Sequence, residues 1–363
     1  MFISQEIKLD FEDVRIVPQR TTLKSRNEVV LERNFKFYHS PRTWSGIPII
    51  CANMVPLTSK SMAIKFAEHK MVVALHKYYS VEELVDIIQE AGVDYSWVSI
   101  GKSYEDIEKL SILEKELGKS PNIVIDVPNG YMESFVNFCK DVRESFPESI
   151  ICAGNVTTSE ICEELIIHGK VDICKVQIGP GSQCETRKMT GVGYGTFSTV
   201  VECSHASHGL RADSGRLGLV MSDGGCKDPG DVCKALCGGA DWVMIGGMFA
   251  GADECEGEWI TEYLNNRNIW EELKSFSYSM DPEKIRKRLI FYGMSSHYAQ
   301  EKHGSGKKKY RASEGKVSKI ECKGPVENII QEILGGIRSC GAYIGSKKLK
   351  DFSKCAKFVR VSR

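Results

Sequence analysis

The sequence predicts an α/β protein: a single (β/α)8 TIM barrel with an extended loop after the sixth strand and a flap after the eighth. Three observations carry this reading. Eight short apolar runs recur along the chain, at residues 47–52, 72–76, 97–100, 123–127, 150–153, 173–178, 217–221 and 242–245. Each is continuous rather than alternating, as parallel strands buried on both faces require. Stretches with helical periodicity separate them, giving strand-plus-helix units of about 25 residues. Glycine pairs follow the last two runs, in Ser222-Asp-Gly-Gly225 and Gly246-Gly247, at the strand ends where such barrels build their sites. A doubly wound open sheet is the alternative, but no Gly-x-Gly-x-x-Gly follows the first strand.

Residues 1–46 form a polar N-terminal segment, with a strand-like stretch at 13–18 and a basic one at 21–26. The second and fifth helices open with capping boxes, Ser80 with Glu83 and Thr157 with Glu160. Between strands six and seven the chain holds an excess about as long as a helical hairpin, giving a loop region over 178–210. After strand eight, residues 252–323 are too long for an ordinary βα loop and read as a flap. Its Trp259, Tyr263, Trp270 and Tyr278 are expected to anchor packing, and Lys307–Lys309 to be a solvated face. Residues 328–334 read as the last barrel helix, ended by Gly335-Gly336. A basic tail, 341–363, should pack outside the barrel.

The 363 residues carry 48 basic and 48 acidic side chains, so no global field favours nucleic acid or an acidic membrane. No apolar run is long enough to span a bilayer. The N-terminus lacks the pattern of a secretory signal, and a cytoplasmic location is expected. The fourteen cysteines are then expected as reduced thiols. Cys233 and Cys237 are spaced as helix neighbours without a histidine pair, so no structural zinc is expected.

Residues 178–195 hold five glycines and a proline, a composition that excludes helix and strand interior. This loop directly follows strand six and carries the thiol of Cys184, the hydroxyl of Thr186 and the guanidinium of Arg187. The glycine pairs after strands seven and eight suit a phosphate. Asp223 would repel that phosphate and is better placed to accept from ribose hydroxyls. Arg311 and Glu314 stand together in the flap, so closure would bring both to the site.

Gly179-Pro-Gly-Ser-x-Cys184-x-Thr186-Arg187, followed by Thr190-Gly-Val-Gly-Tyr194, resembles the catalytic loop of the IMP dehydrogenase/GMP reductase family. The similarity extends through Thr22-Leu-Lys-Ser-Arg26, His76-Lys77-Tyr-Tyr-Ser80, Cys152-Ala-Gly-Asn155, Ser222-Asp-Gly-Gly225 and Tyr310-Arg-Ala-Ser-Glu-Gly315, and covers nearly the whole chain. The reductase branch is the more similar, and the chain has no room for a regulatory domain after strand two.

The resemblance implies NADPH-dependent conversion of GMP to IMP, with ammonia released through a covalent intermediate on Cys184. Thr186 and Glu314 are implied as the proton-handling pair. Asp223, Gly224, Gly225, Gly246, Gly247, Gly293, Met294, Ser295, Arg311, Ala312, Ser313 and Gly315 are implied to bind the nucleotide. Lys77, Asp126, Val127, Pro128, Ile178, Gly179, Arg187, Met294, Tyr310, Arg311, Ser339, Cys340, Gly341 and Ala342 are implied to bind NADPH, with Ser25 and Arg26 across a subunit boundary. Gly179, Gly181, Cys184 and Arg187 resemble a potassium (K+) site built from loop carbonyls. A homotetramer is the implied assembly.

The chain departs from that pattern at Glu185, where a neutral Thr is usual, and at Gln177, Gln183, Pro128 and Gly195-Thr196. A carboxylate facing Cys184 would raise the thiol pKa. Two other readings therefore stay open: an IMP dehydrogenase without its regulatory domain, and a silent purine-nucleotide binder whose only support is Glu185.

Overall fold

The computed structural model describes residues 3–263, 285–304, 310 and 312–362. Eight parallel strands close a barrel: β1 (Ile49–Cys51), β2 (Val72–Leu75), β3 (Ser96–Ile100), β4 (Ile123–Asp126), β5 (Ile151–Val156), β6 (Ile173–Val176), β7 (Leu219–Asp223) and β8 (Trp242–Ile245). Each pairs with its sequence neighbours, and β8 meets β1 with Val243 opposite Ile49. Strand residues are buried on both faces, which is why the runs read as continuous.

The barrel interior is filled by Ile50, Val72, Ala74, Val124, Cys152, Ile173 and Met221. Its N-terminal mouth is plugged by the hairpin Arg33–Lys36 and Thr43–Gly46. There Phe35 and Trp44 pack on Trp242 with ring centroids 5.1 and 4.4 Å apart, and Trp97 adds a third contact at 5.1 Å. With the lower end sealed by aromatic rings, the upper end is left for chemistry.

The surrounding helices are α1 (Lys60–Glu68), α2 (Val81–Ala91), α3 (Tyr104–Leu117), α4 (Glu133–Ser145), α5 (Ser159–Ile167), α6 (Thr196–Gly209), α7 (Pro229–Cys237) and α8 (Val326–Ile344). The Ser80–Glu83 box forms in both directions at the start of α2. The expected Thr157–Glu160 box does not form. Thr158 is the N-cap of α5, without a side-chain capping bond. The Thr157 hydroxyl instead meets the Tyr131 hydroxyl at 2.8 Å, which ties the loop after β5 to the end of the β4–α4 connection.

The expected stop at Gly335-Gly336 also differs. α8 runs through both glycines to Ile344 and ends at Gly345, whose φ of 71° suits the left-handed C-terminal position. A Cβ on Gly336 would stand 2.6 Å from Pro229 Cβ, so this glycine lets α8 approach the start of α7.

The flap contains an antiparallel sheet of Trp259–Tyr263, Ile285–Tyr292 and Val317–Glu321, plus a helix, His297–His303. Trp259 packs against the main core and its indole donates to Cys255 O at 3.2 Å, as an anchor should. The side chain of Tyr263, and the expectations placed on Trp270, Tyr278, Lys307–Lys309 and Arg311, lie outside the described residues. The tail returns to the N-terminal segment, where Phe358–Arg360 pairs antiparallel with Val14–Ile16.

Below the barrel, buried Asp241 is held by three side chains: His208 Nε2 at 2.8 Å, Arg33 at 3.1 Å and Arg216 at 3.4 Å. Burial alone would raise its pKa, but His208, Arg33 and Arg216 outweigh burial and bring it to about 2. A folded pKa below the unfolded one gives stability that is present above the unfolded value and lost as pH falls through the folded one. Asp241→Asn should therefore cost ~2 kcal/mol at neutral pH. In urea titrations the deficit should shrink between about pH 4 and pH 2. A deficit that stays constant across that window would refute the assignment.

Candidate active site

The upper end of the barrel opens into a cavity of ≈ 670 Å³ lined by the loops after the strands. The loop after β6 starts with two unusual backbone conformations, Gln177 at φ 97° and Gly179 at φ 91°. A non-glycine residue there costs about 1–3 kcal/mol. Gln177 offsets this cost through its amide, which donates to Ser222 Oγ at 3.0 Å and Thr196 O at 3.3 Å, tying the loop to β7 and α6. At Gly179 a Cβ would stand 2.5 Å from Arg187 Cγ. The Arg187 guanidinium donates to Tyr194 O and to Thr196 Oγ1 at 3.1 Å, and pairs with Asp10 at 3.4 Å. It braces the loop from outside the cavity wall.

Contrary to the expectation of no helix in residues 178–195, Cys184 sits just before a one-turn helix, Thr186–Thr190, whose five residues include none of the glycines. Its sulfur lies 3.2 Å from Thr186 Oγ1, and that hydroxyl donates to Glu314 Oε2 at 2.8 Å. The carboxylate arrives from the flap because backbone pairing brings it there. Cys184 and Gly315 form an antiparallel bridge, Glu185 N donates to Glu314 O at 2.7 Å, and Lys316 N donates to Gln183 O at 3.0 Å. Gln183 adds a side-chain tie, accepting from Ser318 Oγ at 3.0 Å. Glu185 commits its carboxylate to Lys188 Nζ at 3.4 Å, while the hydrogen-bond partner of the Cys184 sulfur is Thr186. A thiol, a hydroxyl and a carboxylate thus stand in line at the cavity lip, an arrangement suited to nucleophilic attack with proton transfer.

The cavity floor contains a group the sequence reading missed. Lys175, on β6, is buried and pairs with Asp126 at 2.8 Å and Asp223 at 2.6 Å. Burial alone would lower its pKa, but the two carboxylates outweigh burial and raise it. Asp126 also accepts from Asn53 Nδ2 at 2.9 Å, and Asp223 from Asn155 Nδ2 at 2.7 Å. Burial would raise the Asp126 pKa, yet Lys175 and Asn53 hold it below the usual carboxylate value. The available signal was a lysine inside the apolar run 173–178, where a central strand has no water to offer it.

The cavity wall includes Cys184, Thr186 and Glu314 together with Asp223, Gly224, Gly225, Gly246, Gly247, Gly293, Met294, Ser295 and Gly315. From the expected cofactor set it includes Lys77, Asp126, Val127, Pro128, Ile178 and Gly179, and from the expected cation set Gly181. Gly224 and Gly225 have φ of 81° and 82°, so this turn requires glycine, and a Cβ on Gly247 would stand 2.7 Å from Ser182 Oγ. Arg187, Tyr310, Ala312 and Ser313 are not wall residues; Tyr310 is exposed, and Ser313 Oγ donates to Gly315 O at 2.9 Å. Ser25, Arg26, Ser339, Cys340, Gly341 and Ala342 lie outside the wall, where the turn Arg26–Glu28 packs on α8. Among the described residues no group of three or more His, Cys, Asp or Glu could hold a metal ion. A ring of carbonyl oxygens is a different donor set.

A family model described as the IMP dehydrogenase / GMP reductase domain matches residues 8–363. The chain belongs to the IMP dehydrogenase/GMP reductase family. Within this oxidoreductase family, similar relatives include GMP reductases of Escherichia coli O139:H28 (strain E24377A / ETEC) and Shigella boydii serotype 4 (strain Sb227). Each is 47% identical over 365 residues, covering 99% of this chain and 97% of the relative. Family membership makes this chain an enzyme, and it agrees with the barrel and with a thiol in the loop after β6.

Proposed function

We propose that the protein is a GMP reductase, converting GMP to IMP and ammonia with NADPH as reductant. The observation that carries this reading is the line Cys184 Sγ–Thr186 Oγ1–Glu314 Oε2 at the lip of a glycine-cradled cavity. The 2-amino group of a purine leaves only after C2 becomes tetrahedral and the nitrogen is protonated. The Cys184 sulfur forms the bond to C2. Thr186, held by Glu314, passes a proton to the departing ammonia, which leaves a thioimidate. Bound NADPH would supply hydride to C2. The Cys184–C2 bond then breaks, and its electron pair returns to sulfur. In sum, GMP, NADPH and two protons give IMP, NADP+ and ammonium.

Gly224, Gly225, Gly246 and Gly247 suit the nucleotide phosphate, and Asp223 the ribose, with Gly293, Met294, Ser295, Arg311, Ala312, Ser313 and Gly315 completing that site. The wall also fits a second polar ligand: His76 Nδ1, Ser99 Oγ, Asn155 Oδ1 and Gln177 Oε1 are buried there without a hydrogen-bond partner. Lys77, Asp126, Val127, Pro128, Ile178, Gly179 and residues 339–342 would hold NADPH, with Ser25 and Arg26 acting across a subunit boundary of a homotetramer. The carbonyls of the 179–187 loop would take K+. The barrel and its extensions would act as one domain, in the cytoplasm. No helix among the described residues is long and apolar enough to cross a membrane. Glu185 pairs with Lys188 at 3.4 Å while the Cys184 sulfur bonds Thr186, which favours the reductase reading over a silent binder.

The test is to follow NADPH loss with GMP in potassium buffer alongside ammonia release. Equal molar amounts support the reductase. NADH formation from IMP and NAD+ would make it a dehydrogenase, and silence in both assays a binder. Glu314→Gln should lower kcat by about 10²–10³-fold with little change in GMP affinity, because the amide keeps the shape but not the proton capacity. An unaltered kcat would take Glu314 out of the proton path.

A further inference from the structure

We propose that Cys237 and Cys340 are a redox-modification site: a dithiol that hydrogen peroxide converts to a reversible disulfide between α7 and α8. Their sulfurs lie 3.9 Å apart. The helices carrying them are already in close contact where Gly336 meets Pro229. Cys233 stands one helical turn before Cys237, so both thiols lie on the same face of α7.

Access divides the roles. Cys233 and Cys237 are buried, while Cys340 is half-buried and is the thiol that solvent reaches. Hydrogen bonds from Cys233 and Cys237 favour the Cys340 thiolate and lower its pKa. An accessible, activated thiol with a second sulfur in contact is how redox-sensing cysteines are arranged. The other contacting thiols, such as Cys162 and Cys203, are both buried, and their pKa values are raised.

The chemistry balances with peroxide as the only oxidant. The Cys340 sulfur attacks one peroxide oxygen, the O–O bond breaks, and water leaves behind a sulfenic acid. The Cys237 thiol then attacks that sulfur, the S–O bond breaks, and a second water leaves. Two thiols are oxidised by two electrons and one peroxide is reduced to two waters. Closure brings the sulfurs from 3.9 Å to about 2 Å. Neither sulfur lines the cavity, but Cys340 is among the residues proposed to hold NADPH, so the oxidation is carried out on protein free of cofactor.

The sequence makes the test clean. Lys234 separates Cys233 from Cys237, and Arg338 and Lys347 bracket Cys340, so trypsin places the three thiols on three peptides; the Cys237 peptide also holds Cys255, and fragment ions tell those two apart. The folded full-length chain is treated with hydrogen peroxide, its remaining thiols are alkylated, and the digest is read by mass spectrometry. The expected product joins peptide 339–347 to the peptide containing Cys237, with two thiols lost per chain and recovered with dithiothreitol. Cys340→Ser should abolish it. Overturning results would be a Cys340 that stays alkylatable, one that proceeds to sulfinic acid without a cross-link, or one joined only to a different cysteine.

Discussion

Cys184→Ala should abolish turnover, a loss of about 10⁴-fold or more, while leaving the fold and nucleotide binding in place. The loop does not depend on the sulfur for its shape. Cys184 N donates to Gly181 O at 2.9 Å, and the bridge to Gly315 and the bond from Glu185 N are also backbone features. Among the described residues the sulfur hydrogen-bonds only the Thr186 hydroxyl, at 3.2 Å. Its removal therefore takes away the nucleophile and one weak contact. Calorimetric titration with GMP should give an affinity within about threefold of the native protein, since the glycine turns that suit its phosphate are untouched. Native protein quenched during turnover should carry a purine adduct on the peptide containing Cys184. A Cys184→Ala protein that kept more than about 1% of the native rate would sink the covalent route.

Lys175→Met should damage both stability and binding. Lys175 neutralises one of two carboxylates that face it, so the trio carries a net charge of −1. Methionine keeps most of the volume but leaves Asp126 and Asp223 facing one another without a cation. Breaking a buried ion pair by removing one partner costs about 3–5 kcal/mol. The lower end applies here, because the Asp126 side chain is 35% exposed and Asp223 19%. The doubled charge should also repel an anionic nucleotide, raising its KM by about tenfold or more. Lys175→Met combined with Asp126→Asn restores the net charge to −1. That pair should recover at least half of the lost stability in urea titrations. If the double variant is no more stable than the single one, packing rather than charge explains the loss.

The barrel was legible because its strands are buried on both faces, which leaves uninterrupted apolar runs that ordinary turn residues punctuate. The Ser80–Glu83 box was legible because it is local. Thr157 and Gly335-Gly336 misled for one shared reason: tertiary neighbours decided the outcome. Tyr131 took the Thr157 hydroxyl, and Pro229 required the glycine at Gly336 inside a continuous helix. At the site, Cys184 and Thr186 are two residues apart and could be read together. Glu314 was read as a flap residue that closure would bring to the site, but its pairing with Thr186 was reached only through resemblance, because 128 residues separate the two. Lys175 was missed because its two partners come from the ends of other strands, Asp126 on β4 and Asp223 on β7.

The pairing of Val14–Ile16 with Phe358–Arg360 bears on how the molecule is born. On a ribosome the first of these strands emerges before the barrel and must wait for a partner that follows both the barrel and the flap. The barrel itself can close once residue 245 has emerged, when β8 reaches β1. At that moment the thiol is present, but the flap carboxylate at Glu314 has not been made. Catalytic competence therefore arrives late in synthesis, after the scaffold is built, so the nascent chain carries no complete Cys184–Thr186–Glu314 line.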